Sequence, residues 1–212
     1  RWTHDPGGAL LEGLALGFPA AIMIERLFER GTGLGLGKAN TEGWPLNIGI
    51  FHDPEYAPVY LYEALASFLL LILMLALSRR KRFREGREPL LPLFLLLWGL
   101  IQPLLESLRA DDHMVYHFVK AQQVLAICFP VAVMIRWTAR ARRQAAKAWQ
   151  LILPWCVTLA AIGGAVAAEF GVDRWGRPMA AYGLMIACLL LIGGSAFFLR
   201  GLGLKEEKAD GA

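Results

Sequence analysis

Gln102, Glu106 and Arg109 bring an amide, a carboxylate and a guanidinium to one face of a helix, because three- and four-residue spacing stacks side chains on the same side. They follow the apolar run Leu90 to Ile101 with no loop between. Ionisable groups at the end of a membrane helix are expensive unless they meet water, a partner or a substrate headgroup. The chemistry on offer is recognition of a polar headgroup at the membrane surface. A polar seam between helices, or an ion pair internal to Glu106 and Arg109, accounts for the same residues. The Gln102-Pro103 pair also kinks the helix and frees a backbone carbonyl.

Two further stretches carry similar chemistry. Glu25-Arg26-Leu27-Phe28-Glu29-Arg30 passes into Gly31, Gly33, Gly35 and Gly37, followed by Lys38. Glycine lets the backbone approach a ligand closely, and Arg26 is placed to hold a lipid phosphate by charge-assisted hydrogen bonds. Snorkelling arginines paired with neighbouring glutamates explain the same pattern, and no Walker or dinucleotide motif is present. Pro58-Val59-Tyr60-Leu61-Tyr62-Glu63 reads as a helix start with tyrosines in the aromatic belt. Glu63 fits that reading less well, since the apolar run 64–77 draws it toward hydrocarbon. His113, His117 and Lys120 have helical spacing, and His117 is a candidate base near neutral pH. No His or Cys grouping has metal-ligand spacing, so no metal is expected.

The elements that must position these residues are membrane helices. The chain has 212 residues, 56% of them hydrophobic, and a mean hydropathy of +0.44. Such a composition points to an all-α, polytopic membrane helix bundle. Six spans are expected: 8–24, 62–79, 89–108, 115–135, 149–169 and 179–200. The first is the weakest, with Glu12 and Pro19 inside it. Segment 44–60 reads as an interfacial or re-entrant loop. Cys128, Cys156 and Cys188 fall within spans and are expected to pack there, and the lipobox-like Leu125-Ala126-Ile127-Cys128 reads as coincidence. The chain begins at Arg1 with no initiator Met and no signal-peptide pattern, so it reads as a fragment.

Basic loops fix the orientation. Loop 79–88 and loop 136–148 are rich in Arg and Lys and should be cytoplasmic. Segment 25–61 and loops 109–114 and 170–178 should then face outward, gathering the candidate residues on the outer side. The net charge of +4 sits where a membrane protein needs it, next to anionic lipid, which argues against a nucleic-acid partner.

Together the motifs resemble the prolipoprotein diacylglyceryl transferase family. Glu12, Pro19, Arg26, Gly37 and Lys38 fall at offsets matching the family's first motif. Ala57-Pro58-Val59-Tyr60-Leu61-Tyr62-Glu63 looks like its His-Pro-x-x-Leu-Tyr-Glu. Gln102, Glu106, Arg109 and Asp112 look like its Arg-x-x-x-Glu-x-x-Arg-x-x-Asp, and Gln122-Gln123-Val124-Leu125 looks like its Gly-Gln-x-Leu. The sequence departs from the family at Glu29 (an Asn there), Leu34 (a Glu), Ala57 (a His) and Gln102 (an Arg). The family's upstream His-Gly-Gly motif would lie before Arg1.

The resemblance covers about residues 10–136 and implies a bacterial inner-membrane enzyme. Such an enzyme moves diacylglycerol from phosphatidylglycerol to a prolipoprotein cysteine thiol, with the site facing outward. It implies Arg26, Glu106 and His117 as catalytic residues. Arg109, Glu63, Tyr62, Gln102, Glu29 and Lys38 become substrate-binding residues. The partners implied are phosphatidylglycerol or another anionic phospholipid, the lipobox peptide and the bilayer. Residues 1–142 would form the transferase-like core, lacking its N-terminal part, and 143–212 two additional membrane helices. A non-catalytic relative that binds phospholipid or a partner is the alternative. A small transporter component is a further one, suggested by the pairs Gly163-Gly164 and Gly193-Gly194, which equally suit helix packing.

Overall fold

The structure is a computed structural model that describes residues 6–29, 31–32, 34–37, 56–84, 89–110, 115–116 and 119–204. The helices are α1 (Pro6–Glu29), α2 (Val59–Ser78), α3 (Lys81–Arg84), α4 (Leu91–Leu108), α5 (Ala121–Arg143), α6 (Ala148–Arg174) and α7 (Pro178–Leu202). Two-residue strands β1 (Val115–Tyr116) and β2 (Val119–Lys120) precede α5. The chain is therefore an all-α polytopic membrane protein. Among the described residues, five helices (α2, α4, α5, α6 and α7) are both long and apolar enough to cross a bilayer. The expected first span is α1, whose 24 residues extend about 36 Å. Of its charged residues, Glu25, Arg26 and Glu29 are gathered in the last turns, after the apolar stretch.

Several boundaries differ from the sequence expectation. The fourth span, expected over 115–135, is Ala121–Arg143. Val115 pairs with Lys120 and Tyr116 with Val119 in antiparallel register, so no helix runs through 115–120. The helix begins where Lys120 turns extended and its backbone N–H donates to Gln123 Oε1 at 3.0 Å. At the other end Arg136, Arg140, Arg142 and Arg143 lie on the helix rather than in a loop, and the turn to α6 is only 144–147. Long arginine stems can reach a headgroup region from the last helical turns, so helix and basic boundary coexist there. Arg174, expected in a loop, likewise lies on the last turn of α6. Residues 44–55 of the expected re-entrant loop lie outside the described residues.

The chain divides into two compact units, Arg1–Phe94 with Leu105–His113, and Leu95–Leu104 with Met114–Ala212. In the first, α1 packs along α2. The buried stripe of α2 is Val59, Tyr60, Glu63, Ala64, Ser67, Leu70 and Met74, one face of a 3.6-residue period. Leu65, Phe68, Leu69, Ile72 and Leu73 are exposed on its other side, as lipid contact requires. Phe18 of α1 stacks on Phe94 at 6.1 Å between ring centroids. In the second unit α6 and α7 pack against each other along their lengths. The core there is built from Leu96, Met134, Trp137, Ala161, Met185 and Ile192, with smaller neighbours. A Cβ on Gly164 would lie 2.7 Å from Cys188 Sγ, and one on Gly193 3.1 Å from Leu100 Cδ1. One glycine of each pair is thus a helix-packing position. Cys188 is buried, whereas Cys128 and Cys156 are exposed.

Candidate functional site

The first unit brings together three helix ends: the last turn of α1, the first turn of α2 and the end of α4. Their side chains meet because each charged group continues an apolar packing stripe. Ala15, Pro19 and Arg26 follow one another on the face of α1 turned inward, and Ala15 and Pro19 are wholly buried. Glu63 lies on the buried stripe of α2, one turn after Tyr60, and is 0% exposed. Arg109 follows α4 directly as its C-cap, in an extended conformation, and is 3% exposed. These are the positions at which a membrane protein must compensate charge locally.

The compensation is mutual. Glu63 Oε2 accepts a hydrogen bond from Arg109 Nη1 at 2.8 Å, and Arg26 Nε lies 2.9 Å from the same oxygen. Arg26 Nη1 also pairs closely with Glu29 Oε1. Arg109 reaches Glu29 more loosely, Nη1 to Oε2 at 3.3 Å and Nη2 to Oε1 at 3.5 Å. Two guanidinium groups and two carboxylates thus form a quartet whose four formal charges cancel among themselves. Glu106 is 0% exposed and Gln102 5%. Ser107 is buried, and its Oγ has no hydrogen-bond partner among the described residues.

A short glycine segment holds the quartet together. Tyr60 N–H donates to Gly35 O at 2.9 Å, Gly37 N–H to Ala57 O at 2.7 Å, and Ala110 N–H to Leu36 O at 3.0 Å. Gly37 and Arg109 form an antiparallel bridge. Residues 35–37 therefore tie the entry of α2 to the exit of α4. Gly35 has φ +73°, and a Cβ there would collide with Glu29 Oε2 and lie 2.8 Å from Tyr60 Cβ. A Cβ on Gly37 would lie 2.7 Å from Val59 Cγ2 and 2.9 Å from both Ala57 Cβ and Leu108 O. The glycines serve close backbone approach, as the sequence suggests, but what they approach is the protein itself. Gly37→Ala is expected to cost about 1–3 kcal/mol of stability, since backbone and a branched side chain must give way. Unfolding in mixed micelles checks it; an unchanged midpoint would mean that the segment is not a clamp.

Of the candidate residues, the structure joins Arg26, Glu29, Glu63 and Arg109. Tyr62 is half-buried in the first turn of α2. Tyr60, expected in the aromatic belt, is only 7% exposed; its Cβ packs toward Gly35 instead of lipid. His117 and Lys38 lie outside the described residues, as do Arg30, His52, Asp112 and His113. Helical spacing from His113 through His117 to Lys120 does not hold, because 115–116 and 119–120 are paired strands. Sequence reasoning did not single out Tyr60 or Ser107 as part of the site. The position of Tyr60 on the Glu63 stripe was the available signal for the first; nothing in spacing marks the second.

The model of a family described as prolipoprotein diacylglyceryl transferase matches residues 8–139. A protein of Lactobacillus acidophilus named phosphatidylglycerol–prolipoprotein diacylglyceryl transferase is 28% identical over 97 residues, 45% of this chain and 34% of its own. Two proteins of the same name from strains of Lactobacillus delbrueckii subsp. bulgaricus are 27% identical over the same shares. The chain spans about a third of the length of these curated relatives. No solved structure matches it.

Proposed function

The chain belongs to the prolipoprotein diacylglyceryl transferase family, and from that premise we propose that it moves diacylglycerol from phosphatidylglycerol to the cysteine thiol of a prolipoprotein lipobox. The observation that carries this reading is the buried quartet of Arg26, Glu29, Glu63 and Arg109, which lies within the matched residues. In the reaction a C–S bond forms at the glyceryl carbon and the C–O bond to phosphate breaks. The departing glycerol phosphate carries the charge that must be stabilised.

Arg26 and Arg109 are the groups suited to that charge. Glu63, wholly buried and 2.8 Å from Arg109, anchors them. Glu29 is the partner an incoming phosphate displaces, since its side chain is 12% exposed and its contacts to Arg109 are long. Glu106 and Tyr62 complete the polar lining, with Gln102 on the same helix as Glu106. The acceptor thiol reacts as thiolate, and the base for its proton is assigned to His117. Neither a metal nor an organic cofactor enters this scheme.

We place the protein in the bacterial cytoplasmic membrane with the site outward. Glu63 in the first turns of α2 and Arg79 and Arg80 just past its end stand about 25 Å apart, and the basic end belongs inside. The division that fits is a transferase-like core over 1–142 and an added helix pair over 143–212; the family match ends at residue 139.

Incubation of the chain with phosphatidylglycerol and a lipobox peptide should add a diacylglyceryl mass to the peptide cysteine. Arg26→Ala should reduce that transfer by about 10²–10³-fold, the loss typical of one anion-stabilising donor. Transfer unchanged in Arg26→Ala would overturn the site assignment. The second reading is a non-catalytic phospholipid-binding relative. Ala57 favours it: the residue is 5% exposed and its methyl offers no proton-transfer group where the family pattern has a His. Phosphatidylglycerol bound by the chain with no peptide product under any condition would support that reading.

A further inference from the structure

In the second unit α5 and α6 are antiparallel neighbours joined by the turn at 144–147, yet they pack closely only near that turn. There Trp155 Nε1 donates to Thr138 Oγ1 at 3.0 Å and Thr158 Oγ1 to Met134 Sδ at 3.5 Å. Toward their far ends the helices border an open cleft of about 390 Å³, floored by Met185 of α7 and Pro103 of α4. Its walls run from Gln123 to Ile135 on α5 and from Ile162 to Glu169 on α6. That is about 18 Å of helix axis along α5, most of a bilayer leaflet pair's hydrocarbon depth of ~30 Å.

The walls are apolar except at one end. Gln123 and Glu169 lie there together, equally far along the two helices from the turn. Gln123 is committed: its Nε2 donates to Pro103 O at 3.3 Å and its Oε1 accepts from Lys120 N–H. Glu169 is not. Its Oε2 is buried and has no hydrogen-bond partner among the described residues. Arg174, the basic residue next along α6, is stacked over the Phe170 ring at 4.4 Å instead. A buried carboxylate oxygen with no donor among the described residues is costly inside a membrane protein. A narrow apolar slot with an unsatisfied acceptor at one end matches a chain-like amphiphile whose polar end is a cationic donor.

We propose that this cleft holds one acyl chain of a membrane phospholipid with a primary ammonium headgroup. The chain lies along Val124, Ile127, Val131 and Ile135, and the ammonium donates to Glu169. The site is separate from the quartet: Glu169 and the α6 wall lie beyond the matched residues, and none of the four quartet residues takes part. A quaternary ammonium carries no N–H and a glycerol headgroup no positive charge, so neither satisfies Glu169 equally.

The test uses the whole chain in phosphatidylcholine vesicles containing a trace of phosphatidylethanolamine with a photoreactive group in one acyl chain. Adducts are mapped by peptide mass spectrometry. The expected result is labelling of Val124 to Ile135 and Ile162 to Val166 about tenfold above the exposed face at Leu190 and Leu191, a preference of ~1.4 kcal/mol. Glu169→Gln should remove that excess for the ethanolamine probe and leave labelling by an equivalent choline probe unchanged. Val131→Trp, which fills the slot, should remove cleft labelling while labelling at Leu190 and Leu191 persists and shows the chain still folded. Cleft labelling no denser than at Leu190 and Leu191 would overturn the site. Equal labelling by the two probes, or by a phosphatidylglycerol probe, would overturn the headgroup assignment.

Discussion

Glu63→Gln is expected to destabilise the chain by about 3–5 kcal/mol, the cost of removing one partner from a buried ion pair. The amide keeps the volume, so the loss is electrostatic. Arg109, whose side chain is 1% exposed, loses its 2.8 Å partner, and Arg26 loses its contact to the same oxygen. Glu29 alone then faces two guanidinium groups. Reversible unfolding in mixed micelles measures the effect, and a double-mutant cycle sharpens it. Glu63→Gln combined with Arg109→Gln should cost less than the sum of the singles by about 0.5–3 kcal/mol. Simple additivity would mean that the two residues do not share a network.

Arg109→Lys is expected to lower lipid transfer by about 10²–10³-fold while leaving a folded chain. Lysine keeps the charge but replaces a planar fork by a single point donor. The guanidinium uses Nη1 for Glu63 and both Nη1 and Nη2 toward Glu29. An ammonium cannot serve Glu63 and accept a phosphate in exchange for Glu29 at the same time. The check is kinetic, transfer rate against phosphatidylglycerol concentration for both proteins. A lysine variant as fast as the parent would show that Arg109 supplies charge alone and that its geometry does not matter.

Much of this was legible in the sequence, and unevenly so. Four of the membrane helices read directly from apolar runs, because span length is set by bilayer thickness. The segment 115–120 did not. Val115, Tyr116, Phe118 and Val119 are β-branched or aromatic, a strand composition, but their apolarity joined them to the following run and hid the hairpin. Single-sequence spacing also singled out Arg109 by its place at a helix end. Its partners Glu63 and Glu29 lie 46 and 80 residues away, and no local periodicity encodes such pairing. Glu63 was legible only as a misfit to its surroundings. The cleft of the second unit was invisible, since its lining residues look like any lipid-facing surface until two helices part around them.

The long-range pairing of the quartet has a consequence for how the chain is made. Arg26, Glu29 and Glu63 leave the ribosome first, carrying one uncompensated negative charge among them. The arginine that cancels it follows 46 residues after Glu63, on the order of a few seconds later at ordinary translation rates. Until α4 arrives, α1 and α2 hold an exposed carboxylate at their joint and have reason to stay near water or the insertion machinery. Arrival of Arg109, pinned by the 35–37 segment, is then the event that lets those helices commit to lipid. A chain truncated before Arg109 would be caught in that waiting state, and its first helix pair would be the form that quality-control proteases meet.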